Sequence, residues 1–172
     1  QDIQPMRRFT ILLLAASLAS LLPLPASAQP TVGPDGFQCL VRHPVTARKI
    51  AVPQLQEDGD FEITARWSQT RPPMMVYGKQ FPALPPLFQR LMQHHECGHI
   101  EMRTSNEFLA NCYALRGLAE DGLLTPANTT ILRDEMCSLG ELSQKQGGSG
   151  VAYWEETRKL CSDLDLPPCP SP

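Results

Sequence analysis

The chain lacks most of the features by which a protein declares its partner. It has no basic stripe: 15 Lys and Arg stand against 18 Asp and Glu, for a formal net charge of −3. Nucleic acid is therefore not an expected partner. There is no basic amphipathic helix to lie on a membrane surface. None of the six cysteines forms a C-x-x-C pair, which argues against a zinc–thiolate cluster. No internal repeat is visible, so a repeat array is excluded. The longest apolar run, Phe9 to Leu24, is short and broken by Pro23, and it does not read as a membrane span. Histidine is also scarce, with four in the chain, so any pattern among them carries weight.

The first residues read as an export leader rather than as fold. Met6-Arg7-Arg8 is a basic start, Phe9 to Leu24 an apolar core, and Ala26-Ser27-Ala28 a cleavage signature before Gln29. No cysteine follows it immediately, so no lipid anchor and no stable membrane anchor is expected after cleavage. Residues 1–28 are thus upstream residues plus a cleaved signal peptide. Removing Arg7, Arg8 and Asp2 with them leaves 13 basic and 17 acidic residues. Residues 29–172 are long enough for a single domain with a modest core. All six cysteines, Cys39, Cys97, Cys112, Cys137, Cys161 and Cys169, lie in this part. An even count in an exported chain predicts disulfides and a periplasmic or secreted location.

His95-Glu96-Cys97-Gly98-His99 is the pattern that carries chemistry. It lies within PLFQRLMQHHECGHIEM, residues 86–102, whose apolar spacing predicts a helix that starts at Pro85-Pro86. Residues four apart on a helix differ by about 40° around the axis. His95 and His99 therefore share one face and can grip one metal ion. Glu96 stands on the flank, placed to act on water. Gly98 leaves room on the other flank, and Cys97 points to the back.

Two histidines do not complete a catalytic metal site, which commonly has three protein ligands. His94 is about 100° off the metal face, and His43 belongs to no motif. Glu107 is the better third ligand. It opens a second helix, about Ser105 to Glu120, with Thr104 or Ser105 as N-cap. A short hairpin would set it level with His99. The competing reading makes Glu107 the far end of a capping box with Thr104.

His95-Glu96-x-x-His99 followed by Asn106-Glu107-x-x-Ala110-Asn111 resembles the gluzincin type of zinc metallopeptidase, over roughly residues 74 to 118. The resemblance implies zinc on His95, His99 and Glu107, with Glu96 as general base in peptide-bond hydrolysis. It also implies a peptide or protein substrate. In that family an acid four residues beyond the third ligand supports a ligand histidine. Here that position is Asn111, which departs from the pattern and brings no charge. The alternative is a disulfide-stabilised exported binding or accessory module whose metal site is structural or inactive.

The remaining chain predicts an α+β fold: a small N-terminal antiparallel or mixed sheet packed on about four C-terminal helices. Strands are expected at Phe37 to Val41 and Lys49 to Leu55. A third shows in the alternation of Phe61, Ile63, Ala65 and Trp67. A fourth, Met74 to Tyr77, has prolines around it that suggest an edge position. Such an edge holds the extended substrate in metallopeptidases of this design. Thr125-Pro126 opens a third helix running to about Leu142, and a glycine-rich break at residues 146–150 precedes a fourth, about Val151 to Asp163. Equal spacing about the helical turns predicts Cys97–Cys112, Cys137–Cys161 and, by remainder, Cys39–Cys169. Cys112–Cys137 is the rival pair. Tyr77, Tyr113 and Tyr153 read as packing residues.

Overall fold

The computed structural model describes residues 31–68 and 71–171; the expected leader lies outside them. The fold is α+β, with two small sheets in the N-terminal half and four helices in the C-terminal half. A two-stranded antiparallel ribbon pairs β1 (Leu40–Arg42) with β2 (Lys49–Ala51). A three-stranded sheet has the order β3-β5-β4, from Gln54–Gln56, Arg71–Tyr77 and Ile63–Ser68. The helices are α1 (Pro86–Met102), α2 (Glu107–Glu120), α3 (Pro126–Ser138) and α4 (Gly150–Leu160). No helix among the described residues is long and apolar enough to cross a membrane.

Two strand expectations need correction. The run from Lys49 to Leu55 is not one strand: Val52-Pro53 interrupts it, and its halves join different sheets. Val52 N–H pairs with the Cys39 carbonyl, while the Pro53 carbonyl accepts from Met75 N–H. Nor is the strand ending at Tyr77 an edge. β5 is central, parallel to β3 and antiparallel to β4. Its prolines are tolerated because β3 pairs only with Met75 to Tyr77. Pro72 and Pro73 lie beyond that stretch, where no ladder donor is lost on that side. The edge is β4.

Helix α1 divides the interior. Cys97 and Ile100 face a core built with Cys39, Val41, Val52, Ile63, Met75, Tyr77 and Phe81. Leu91 faces a second core of Leu115, Leu118, Leu132, Trp154 and Leu166. Covered from both sides, the second half of α1 is buried almost all round. Gly98 lets α2 come close: a Cβ there would stand 3.0 Å from that of Tyr113. Thr125 caps α3 by accepting from Asn128 N–H at 3.2 Å, with Pro126 in the first turn. α3 ends at Ser138, short of Leu142, and α4 begins at Gly150 with Ser149 as cap.

The six cysteines form three disulfides, and none of the expected pairs. They are Cys39–Cys97, Cys112–Cys161 and Cys137–Cys169. Equal height on a helical hairpin was the wrong criterion, because it ignores which layer each helix back faces. The back of α1 lies on β1, so Cys97 meets Cys39. The outer side of α2 packs on α4, so Cys112 meets Cys161 instead of Cys97 or Cys137. With no free cysteine among them, a thiolate metal cluster has no ligands to draw on.

Candidate metal centre

Three side chains from two helices converge. His95 and His99 sit one turn apart on the buried half of α1, 7% and 8% exposed. Glu107 is the first residue of α2, and its carboxylate turns back toward them. His95 Nε2 and His99 Nε2 are 3.1 Å apart. Glu107 Oε2 lies 3.2 Å from the first and 3.6 Å from the second. Ligands bonded at 2.0–2.1 Å in a tetrahedral zinc site stand about 3.3 Å from one another. The three atoms therefore have the spacing of ligands around one ion, and they can hold a metal ion.

Local chain geometry explains the convergence. α1 ends at Arg103, which takes left-handed φ/ψ of 50° and 46°. Arg103 N–H and Thr104 N–H close on the carbonyls of Ile100 and His99, a helix-ending arrangement of the Schellman kind. The reversal brings the Thr104 carbonyl 2.8 Å from His99 Nδ1. Nδ1 donates that proton, so the lone pair of His99 Nε2 faces His95 and Glu107. The cap of α2 is Asn106, which accepts from Leu109 N–H at 3.0 Å, rather than Thr104 or Ser105. Glu107 does not close a capping box, because Thr104 N–H is taken by the His99 carbonyl. The hydrogen bond from His95, with the nearby histidines, holds the Glu107 carboxyl below the usual carboxylate range.

Glu96 lies beside this group, and one of its oxygens is held by the sheet. Ala65 N–H on β4 donates to Glu96 Oε2 at 2.6 Å. Burial pushes the Glu96 carboxyl upward, against the opposing pull of His95 and the Ala65 N–H.

Asn111 does not support a ligand histidine here. It is buried and donates to Thr157 Oγ1 on α4 at 3.2 Å; the group that orients His99 is the Thr104 main chain. His94 stands apart and pairs with Asp121 at 2.9 Å. His43 Nδ1 accepts main-chain N–H groups from Val45 and Thr46 in the β1–β2 turn. Tyr77 and Tyr113 are packing residues: Tyr77 is buried in the sheet core, its phenol pushed up to about 12 by that burial. Tyr153 differs. Its buried hydroxyl donates to the Glu107 carbonyl at 3.4 Å. Burial first, then the nearness of Glu107 and Glu96, raises its phenol well above the ordinary value. It is thus a neutral donor beside the centre. No local pattern marked it, since its place depends on how α4 docks.

Comparison with protein-family models, curated proteins and solved structures found no match for this chain.

Proposed function

We propose that the chain is an exported zinc metallopeptidase of the gluzincin type, acting on peptide bonds. The observation that carries this reading is the convergence of His95, His99 and Glu107 beside Glu96. Two imidazoles and one carboxylate are a donor set that suits zinc, and they leave room for a fourth ligand. Zinc bound there supplies Lewis acidity, polarising a carbonyl and lowering the pKa of water from 15.7 toward about 7.

The chain's own residues have distinct tasks. Glu96 accepts a proton from water and delivers it to the leaving amine. Its Oε2 is held by Ala65 N–H, which leaves Oε1 for the transfer. The outer edge of β4 runs past this carboxylate, and an extended peptide would pair there through its main chain. Tyr153 spends its one hydroxyl proton on the Glu107 carbonyl and so steadies the residue that supplies the third ligand. The three disulfides suit an oxidising compartment, and we place the protein in the periplasm or outside the cell.

One observation favours the alternative of a binding or accessory module: Asn111 gives its hydrogen bond to Thr157 and none to the histidines. Metal analysis and peptidase assays decide between the two. Zinc at one per chain is expected in the wild type, absent from His99→Ala and retained by Glu96→Gln, with hydrolysis lost in both variants. Zinc without any turnover dependent on Glu96 selects the binding module.

A further inference from the structure

The shortage of positive charge is not spread evenly over the chain. Between Asp35 and Glu57 no acidic residue occurs, while Arg42, Arg48 and Lys49 do. These three lie on the β1–β2 ribbon and its turn, and all are exposed. None makes an ion pair among the described residues. Glu101 does reach the ribbon, but its carboxylate accepts the main-chain N–H of Arg42, at 2.7 Å. The register sets Arg42 directly opposite Lys49. Like charges facing each other across a strand pair are destabilising. The fold gains nothing from placing these two together, and an anion from outside would relieve them.

Strand alternation decides what else stands with them. Val41 is buried in the core, so Leu40 and Arg42 point outward, with their partners Ala51 and Lys49. The turn beyond Arg42 is closed by its own bonds. His43 N–H donates to the Arg48 carbonyl at 2.8 Å, and Ala47 N–H to the His43 carbonyl at 2.9 Å. His43 Nδ1 accepts from the N–H groups of Val45 and Thr46. With its main chain so committed, the turn holds out Pro44 and Val45. Val45, at 85%, is the most exposed large apolar residue among the described ones. The ribbon meets α1 through Cys39–Cys97 and through Arg42 and Glu101. Cys97 and Glu101 are each two residues from His99, about 200° around the helix. The ribbon is therefore on the side of α1 away from the metal ligands.

We propose that the β1–β2 ribbon docks reversibly on an anionic lipid bilayer, with Arg42, Arg48 and Lys49 on headgroup phosphates and Val45 entering the interface. A soluble polyanion would engage the cations alone and leave Val45 in water. A bilayer interface accepts both the charged rim and the apolar tip. Each cation at an anionic surface contributes about fivefold in affinity, so three give about 100-fold over a neutral bilayer. The docking does not depend on the metal centre.

The test is sedimentation of the mature, disulfide-bonded protein with vesicles of phosphatidylcholine, alone or with about one third phosphatidylglycerol. Binding to the anionic vesicles should be about 100-fold tighter than to the neutral ones. It should be largely lost in about 1 M salt, where charges are screened beyond about 3 Å. Arg42→Gln with Lys49→Gln should weaken it about 25-fold, and the urea midpoint of that variant should not fall, since two facing cations are gone. Arg48→Gln, a change in the turn alone, should weaken binding about fivefold and carries the test if the double variant misfolds. Val45→Asn removes apolar area without touching charge and should weaken binding about tenfold. His99→Ala should bind vesicles as the wild type does, which separates docking from the metal centre. Undiminished binding by Val45→Asn, with polyphosphate competing fully, would overturn the bilayer and assign the ribbon to a soluble polyanion. Equal binding to both kinds of vesicle, or no loss in the cation variants, overturns the proposal altogether.

Discussion

Ala65→Pro removes one hydrogen bond from the carboxylate of Glu96 and none from the sheet. In an antiparallel pair, the N–H and C=O of a residue point together, toward the partner strand or away from it. Ala65 N–H reaches Glu96 Oε2 at 2.6 Å, so it points away from β5, and a proline there costs no ladder bond. A hydrogen bond to a charged group contributes about 1.5–3 kcal/mol, and Glu96 is too well covered for water to replace it fully. Proline also brings a backbone cost of its own. The experiment is therefore a double-mutant cycle with Glu96→Leu, followed by urea unfolding in the presence of a chelator. The proline cost should be about 1.5–3 kcal/mol larger with Glu96 than with leucine at that position. Ala65→Val, which keeps the N–H, should show little coupling. An equal proline cost in both backgrounds would refute the claim that β4 holds this carboxylate.

Four further outcomes follow from the fold. Peptide mapping without reduction should recover Cys39–Cys97, Cys112–Cys161 and Cys137–Cys169. Replacing the last pair by alanines should cost about 3–4 kcal/mol in thermal or urea unfolding, from the entropy of closing its loop. Glu155 accepts from Cys169 N–H at 2.9 Å and from Arg158, and these bonds lower its pKa. Its contribution is therefore present above the ordinary carboxylate range and lost as pH falls through the lowered value. Glu155→Gln should destabilise by up to about 1 kcal/mol at pH 7, with the difference vanishing in unfolding curves measured in strong acid. At Gly117 an added Cβ would overlap the His94 ring. Gly117→Ala should thus lower stability by about 1–3 kcal/mol through overpacking, measured by the same unfolding.

What the sequence determined by itself was whatever depends on neighbours within a turn or two. The register of His95, Glu96 and His99 on one helix follows from 3.6 residues per turn. The start of α3 at Thr125-Pro126 follows from capping chemistry. Glu107 was within reach of the same reasoning because only a four-residue turn separates the two helices. Even there the cap moved to Asn106, since Thr104 gives its carbonyl to His99 and its N–H to the helix end. Beyond that range, local pattern carries no information about which layer a residue will meet. The Asn111 amide turned to Thr157, Cys97 found Cys39 across 58 residues, and β5 came to lie between β3 and β4 despite its prolines. The same holds for Tyr153 beside Glu107 and Ala65 beside Glu96, 46 and 31 residues apart. Those contacts are decided when α1 is covered by the sheet on one side and by helices on the other, because burying both faces at once selects a single arrangement of the layers.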